Sequence, residues 1–441
     1  MSHITEDAPT KVRGRWRQLS LLGGAVIVDN TESSLVSGLF PVIRQSLGLS
    51  LGALGILTAA SKIVGVFTGP FWVWAAHRWS RRSLLAITAG LWGVWGIAAG
   101  FSQNFTQLLI FYTILAAGYA GAHPIVAEII GDLFDDSSRG RAVGILYGAI
   151  ALTTSILGPI KGQLANVDDG WRWGLWGIGV FNILLGVAIW VWFRDPGTGA
   201  AERQLAGLDR EARESGTELT WSRAISLLRI PSFLILLGSR LLSGHLLLLA
   251  FGVVFMVDVY GFDTATASIV LAPAGIGFFI GNLLGGFLSD RAVRRSPRYG
   301  PVALLQGAQV AFAVTAFVAT QIDWGSIGVF SIFFTLTGIV QGMNPGINRP
   351  MVMAVTPPEL RGAAFTIYVN IVEAIAWAVF SLGAGFLGEV IGLKTVFLVV
   401  LVVLMLINGA FLTLLYRPYA RDVERVQRDL EARRAAAVEG G

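Results

Sequence analysis

Leu21–Leu39 reads LLGGAVIVDNTESSLVSGL, the first long apolar run of the chain, with Asp29, Asn30, Thr31 and Glu32 at its middle. A carboxylate inside a bilayer costs about 2.5–3.5 kcal/mol on insertion scales. Two carboxylates three residues apart share one helical face. A helix of this kind is stable only where that face meets water, counter-charges or both. The competing reading is a run that does not span a membrane, or carboxylates paired for structure alone. The rest of the chain decides between the two.

The chain has 441 residues, of which 54% are hydrophobic and 14% charged, with 54 glycines and no cysteine. So little charge beside so much glycine and tryptophan points to a polytopic helical membrane protein. Disulfides, thiol chemistry and cysteine metal sites are excluded. A span needs about 20 apolar residues, and twelve runs qualify: 18–43, 51–75, 83–101, 105–131, 142–165, 172–193, 232–257, 265–288, 301–322, 326–348, 362–388 and 394–416, numbered here as spans 1 to 12. The net charge of +5 is no nucleic-acid signal, because the basic residues alternate with these runs. Arg78, Arg81 and Arg82, Arg139 and Arg141, the arginines of 194–229, Arg291, Arg294, Arg295 and Arg298, and Arg361 fall on one set of connectors. The alternate set (FSQNF, NVDDG, YGFDTAT, QIDWG) is short and poor in bases. The positive-inside rule then predicts a multi-pass cell-membrane protein with both termini cytoplasmic. Residues 1–17 form an N-terminal tail with no cleavable signal pattern. The expected division is a six-helix bundle at 18–193, a cytoplasmic linker at 194–231, a second six-helix bundle at 232–416 and a tail at 417–441. In that tail Val423, Val426 and Leu430 recur at helical spacing, which suits either a surface helix or a frayed polar end.

The halves repeat each other. VWAAHRWSRR (Val73–Arg82) follows span 2 and GFLSDRAVRR (Gly286–Arg295) follows span 8; after spans 4 and 10, Pro345 answers Pro124 and Arg361 answers Arg139. Ordered matches at two loops imply a duplication. Internal repeats of this kind mark secondary transporters, with the cargo site at the repeat interface near the midplane.

Gly286-x-x-x-Asp290-Arg291-x-x-Arg294-Arg295 resembles the loop motif of the major facilitator superfamily, and the Arg-Gly pairs after spans 4 and 10 resemble its other cytoplasmic landmarks. Gly158-Pro159-x-x-Gly162 in span 5 is similar to the antiporter motif of its exporters. The resemblance covers residues 18–416. It implies an all-α membrane protein of twelve transmembrane helices in two pseudo-symmetric six-helix bundles. A narrower likeness is to the Spinster-like branch, associated with lysolipid and sphingolipid export. It rests on Asp29 with Leu39-Phe40-Pro41, on IIGDLF at Ile129–Phe134, on WRW at Trp171–Trp173 and on RDP at Arg194–Pro196. The resemblance makes Arg78, Arg81, Arg82, Arg139, Gly286, Asp290, Arg291, Arg294, Arg295 and Arg361 cytoplasmic gate residues. With Val73, His77 and Ser80 departing from the pattern, the first-half gate is expected to be weaker than the second. Tyr112, Leu115 and Tyr119 depart from the span 4 pattern, which weighs against a proton relay there; Thr154 replaces the upstream glycine of the antiporter motif.

At 1.5 Å per residue, Asp29 lies ~17 Å and Glu32 ~21 Å from the inner face. Lys62, Arg240, His245 and Glu373 fall within one or two turns of the same level. These six residues form the expected proton-coupling and substrate cavity, with Lys62 and Arg240 as counter-charges to the carboxylates or as the holders of an anionic cargo head group. The alternative is a fixed Lys62–Asp29 and Arg240–Glu373 lock. Lys161 is expected to reach headgroups. Gly275-x-Gly277-x-x-x-Gly281-x-x-x-Gly285 has the wrong spacing for a dinucleotide loop and reads as close helix packing.

No enzyme constellation is present: the four histidines are scattered, and no GxSxG or metal-spaced carboxylate cluster occurs. The expected function is alternating-access, proton-coupled export of a small amphipathic or lipophilic molecule, drug-like or lysolipid-like. A proton-coupled uptake symporter for a small organic anion and a membrane receptor or scaffold are the alternatives. The partners are a small-molecule substrate, protons and membrane lipids; no cofactor, metal or nucleic acid is expected, and the chain is expected to act as a monomer.

Overall fold

Backbone groups in a bilayer must be satisfied within the segment, which forces each long apolar run into a helix. The computed structural model describes residues 14–134, 136–197, 226–357 and 360–439, and they are helical at all twelve expected positions. Among the described residues, ten helices are long and apolar enough to cross a membrane. The helices Arg15–Gly38 and Asp136–Gln163, in spans 1 and 5, are the two outside that set. Polar side chains dilute both: Asp29 to Glu32 in the first, and Asp136 to Arg141 at the start of the second. Residues 1–13 and the linker segment 198–225 lie outside the described residues.

Among the described residues, four spans depart from a regular ladder. Span 3 carries a π-helical turn at Ile87–Leu91 and span 12 one at Leu398–Val403. Span 11 is π-helical over Thr366–Val372 before resuming as an α-helix at Glu373–Ile391. Span 7 is broken outright. Its first helix, Pro231–Leu241, stops at a turn, a short 3-10 segment follows at Gly244–Leu246, and a second helix runs over Leu247–Tyr260. Breaks of both kinds mark places where a helix is re-aimed.

The chain divides into two compact units. The first comprises Met1–Ser33, Phe67–Thr153 and Arg172–Thr217, and the second Ser34–Val66, Thr154–Trp171 and Glu218–Gly441. The first unit is built on an apolar core from Leu22, Ile125, Ile129, Phe134, Ile189 and Phe193, all with no exposed surface. Gly90 and Gly186 bring spans 3 and 6 into backbone contact there, since a methyl group on either would overlap the other.

In the second unit the glycine stripe of span 8 does what its spacing predicts. Gly277, Gly281 and Gly285 lie against the backbone of Thr335, Ile339 and Met343 in span 10, and Gly338, Gly342 and Gly346 answer from the other side. Packing without a Cβ lets two helices approach along several turns. Asp263 caps span 8 by accepting from Thr266 N–H (2.9 Å). The C-terminal segment is an ordered helix, Tyr416–Glu439. Tyr419 and Val426 are buried, and Asp422 Oδ2 accepts from Ser232 N–H (2.9 Å) at the start of span 7. The frayed-end reading of this tail is therefore set aside.

Candidate functional site

The first unit holds the carboxylates of span 1. Asp29 is 3% and Glu32 1% exposed. Glu32 Oε2 accepts from Asn182 Nδ2 of span 6 (2.7 Å), whereas Glu32 Oε1 and Asp29 Oδ2 are buried with no hydrogen-bond partner. Among the described residues neither carboxylate forms an ion pair with a lysine, arginine or histidine. Lys62 and Arg240, the counter-charges expected for them, belong to the second unit. Glu32 packs onto Gly96 of span 3, where a methyl group would overlap Oε1, so the acid is enclosed by small and amide groups. Asn30 and Thr31 turn back on their own helix, donating to the carbonyls of Val26 (2.7 Å) and Ile27 (2.8 Å).

The second unit gathers Lys62, Arg240, His245 and Glu373. Arg240 Nη2 is paired with Glu373 Oε2, so the expected Arg240–Glu373 lock exists. Arg240 Nη1 lies 3.5 Å from His245 Nε2, and its guanidinium stands over the Tyr368 ring at 5.8 Å. Lys62 Nζ stands 4.9 Å over the Trp377 ring and within electrostatic reach of Glu373. Two of the irregular spans, 7 and 11, contribute here. Arg240 and His245 flank the break in span 7, and Glu373 is the first residue after the π-helical turn of span 11. Beside them lies a buried amide network: Gln341 Nε2 donates to the His245 carbonyl (3.3 Å), and Gln309 Nε2 to Asn344 Oδ1 (2.7 Å). Ser239 and Asn408 bond reciprocally (2.7 and 3.1 Å). Lys161, expected to reach headgroups, instead donates to Ser34 Oγ of span 1 (2.5 Å).

The gate residues divide. Arg81 is buried, with Nη1 on Asp132 Oδ2 (2.5 Å) and with Nη2 and Nε on Asp195 (2.5 and 3.0 Å). The aspartates of IIGDLF and RDP thus hold the first-half loop arginine. Arg78 stands over Trp74 at 5.6 Å and Arg82 over Trp190 at 5.7 Å. Asp290, Arg291, Arg294 and Arg295 are exposed, and among the described residues they form no ion pair. The expected order is reversed: the first-half loop is the clamped one, because Asp132 and Asp195 supply the acid that His77 lacks. Arg361 Nε donates to the Met353 carbonyl (3.2 Å). The side chains of Arg139 and His77 lie outside the described residues. In the antiporter-like stretch, Gly158 faces open space and Gly162 lies against Ser268 of span 8, with Pro159 inside the helix.

Asn182, Gly96, Trp377, Tyr368, Asp132 and Asp195 were not foreseen as site residues. A lone asparagine in the apolar stretch GIGVFNILLG is the one available signal for Asn182, and Asp132 and Asp195 lie in IIGDLF and RDP with no role assigned by the sequence; Gly96, Trp377 and Tyr368 read as ordinary helix residues until their partners are seen.

Comparison with known proteins agrees with this architecture. Residues 22–368 match the family model of the Major Facilitator Superfamily. The protein spinster of Drosophila melanogaster is 22% identical over 387 residues, 82% of this chain and 60% of that protein's length. Multidrug resistance protein 3 of Bacillus subtilis is 23% identical, over 76% of this chain and 77% of that protein. Among solved structures, a bacterial homologue of the human lysosomal transporter Spinster, inward-facing and unoccupied, superposes with a TM-score of 0.71 at 20% identity, covering 95% of this chain and 98% of that one. A D-xylose–proton symporter superposes at 0.68 and 15% identity, covering 90% and 96%. With its family model matched over most of its length, the chain belongs to the Major Facilitator Superfamily, a family of secondary transporters whose fold serves alternating access.

Proposed function

We propose that this transporter is a proton-coupled exporter of small amphipathic molecules, with Asp29 and Glu32 carrying the coupling proton. The observation behind the reading is the burial of two carboxyl groups on span 1, neither of which forms an ion pair among the described residues. A carboxyl group held away from water without a cation costs least as the neutral acid. A change of access that wets the same group favours its ionised form. One group that is enclosed and then wetted in each cycle can take up a proton on one side and release it on the other. Asn182 suits either state, since its amide donates to the anion and its carbonyl, unpartnered here, can accept from the acid.

Export is favoured over uptake by Gly158-Pro159-x-x-Gly162 and by relatives named for drug resistance. The cargo reading draws on the likeness to spinster. In this account the bundles 18–193 and 232–416 exchange access, the arginine-rich loops face the cytoplasm with both termini, and the monomer is the working unit.

The test is accumulation of radiolabelled chloramphenicol and dodecyl phosphate in inside-out vesicles with an acidic lumen. Accumulation driven by the gradient and lost in Asp29→Asn and Glu32→Gln is expected. Gradient-driven accumulation that survives in both variants removes the carboxyl groups from coupling.

A further inference from the structure

Among the described residues, Glu373 is the one carboxylate that pairs with Arg240 and the one whose charge acts on Lys62. Arg240 is 8% exposed, and its Nε is buried with no partner; His245 is 4% exposed, and its Nδ1 is likewise unpartnered. Among the described residues Lys62 forms no ion pair within bridging distance, and it rests over an aromatic face. A buried guanidinium with an idle N–H forgoes roughly 1–3 kcal/mol, and evolution of a purely structural lock would have no use for the surplus lysine.

We propose that Lys62, Arg240 and His245 form the binding site for an anionic head group, a carboxylate or a phosphate, and that the cargo anion displaces Glu373 from Arg240 when it binds. The argument is one of complementarity. A planar guanidinium offers paired donors that match carboxylate and phosphate oxygens, and Glu373 uses only one edge of it. A cationic cargo would meet two positive charges against one negative. The helix break at Leu242–Ser243 and the π-helical turn at Thr366–Val372 lie next to the exchanging pair. Discontinuous spans of this kind recur at the cargo sites of secondary transporters, and here they give Arg240 and Glu373 room to separate. Trp377, half-buried beside Lys62, supplies flat apolar surface on which the body of an amphipathic anion can rest. The inference takes transport from the proposed function but does not depend on Asp29 or Glu32.

The experiment is binding of radiolabelled dodecyl phosphate to the full chain in phosphatidylcholine nanodiscs. Laurate, dodecyltrimethylammonium, dodecyl maltoside and inorganic phosphate serve as competitors. Laurate is expected to compete, and the cationic and neutral amphiphiles to compete at least about tenfold less well. Lys62→Gln is expected to weaken dodecyl phosphate binding about tenfold and Lys62→Arg to restore most of it. Glu373→Gln, which removes the resident counter-ion, is expected to tighten binding several-fold. Competition by inorganic phosphate would assign the site to a free anion, and its failure to an amphiphile head group. Equal competition by all amphiphiles, preference for the cation, or unchanged or weaker binding in Glu373→Gln would overturn the proposal. Binding is read without a pH gradient, so weakened binding in Lys62→Gln tests this site alone, whereas lost gradient-driven transport in Asp29→Asn tests the coupling reading.

Discussion

Gly96 and Arg81 show how much a single residue decides. A methyl group on Gly96 would occupy the position of Glu32 Oε1, so Gly96→Ala must push the carboxyl group or the helix aside. Overpacking of this kind costs about 1–3 kcal/mol. We expect a lower unfolding midpoint together with lost gradient-driven transport, whereas Gly177→Ala, which faces open space, should leave both unchanged. Arg81 is 6% exposed between Asp132 and Asp195. Removing one partner of a buried ion pair costs roughly 3–5 kcal/mol. Arg81→Ala is therefore expected to lower thermal stability sharply, and Arg81→Lys to recover only part of it because the ammonium lacks the fork. The acids of span 1 were legible in the sequence because charge inside an apolar run is expensive whatever surrounds it. Gly96 and Asn182 were not, since a glycine and an amide acquire their meaning only from the carboxyl group that folding brings against them.

Whole spans were readable because a bilayer leaves an apolar run little choice but a helix. The glycines at every fourth position of span 8 were readable for a related reason, because a stripe without side chains has one evident use. Gly281 would drive a side chain into the Ile339 carbonyl of span 10. Gly281→Val is expected to abolish folded yield in fluorescence-detected size exclusion, while Gly286→Ala, which has no neighbour within 4 Å, is expected to express as the parent does. The break in span 7 was invisible beforehand. SRLLSGHLLLL is apolar enough to read as an unbroken helix, and at the interruption Gly244 lies against the Val400 carbonyl of span 12, where no Cβ fits. The π-helical turn before Glu373 was hidden likewise, because a one-residue change in helical pitch leaves hydropathy unaltered.

For the whole molecule, transport requires contacts that open and close, and the second unit contains one joining residues from both sequence halves. Arg44, just past span 1, is held by Asp258 at the end of span 7 through two hydrogen bonds (2.8 and 2.6 Å). Both side chains are about a quarter exposed, at 28% and 25%, so the pair is worth only about 1 kcal/mol. That suits a clasp that must release. The chain has no cysteine, so spin labels at Gln45→Cys and Val259→Cys report this distance alone. Arg44→Ala is expected to raise the population of the longer distance about fivefold, and an unaltered distribution would mean that the pair does not govern the opening. The central claim, however, concerns protons on span 1, and infrared difference spectroscopy of the lipid-reconstituted protein reads them directly. A protonated-carboxyl C=O stretch that shifts in heavy water, diminishes in Asp29→Asn and vanishes in the Asp29→Asn/Glu32→Gln double variant is the predicted result. A spectrum in which the double variant retains the whole band would contradict the account.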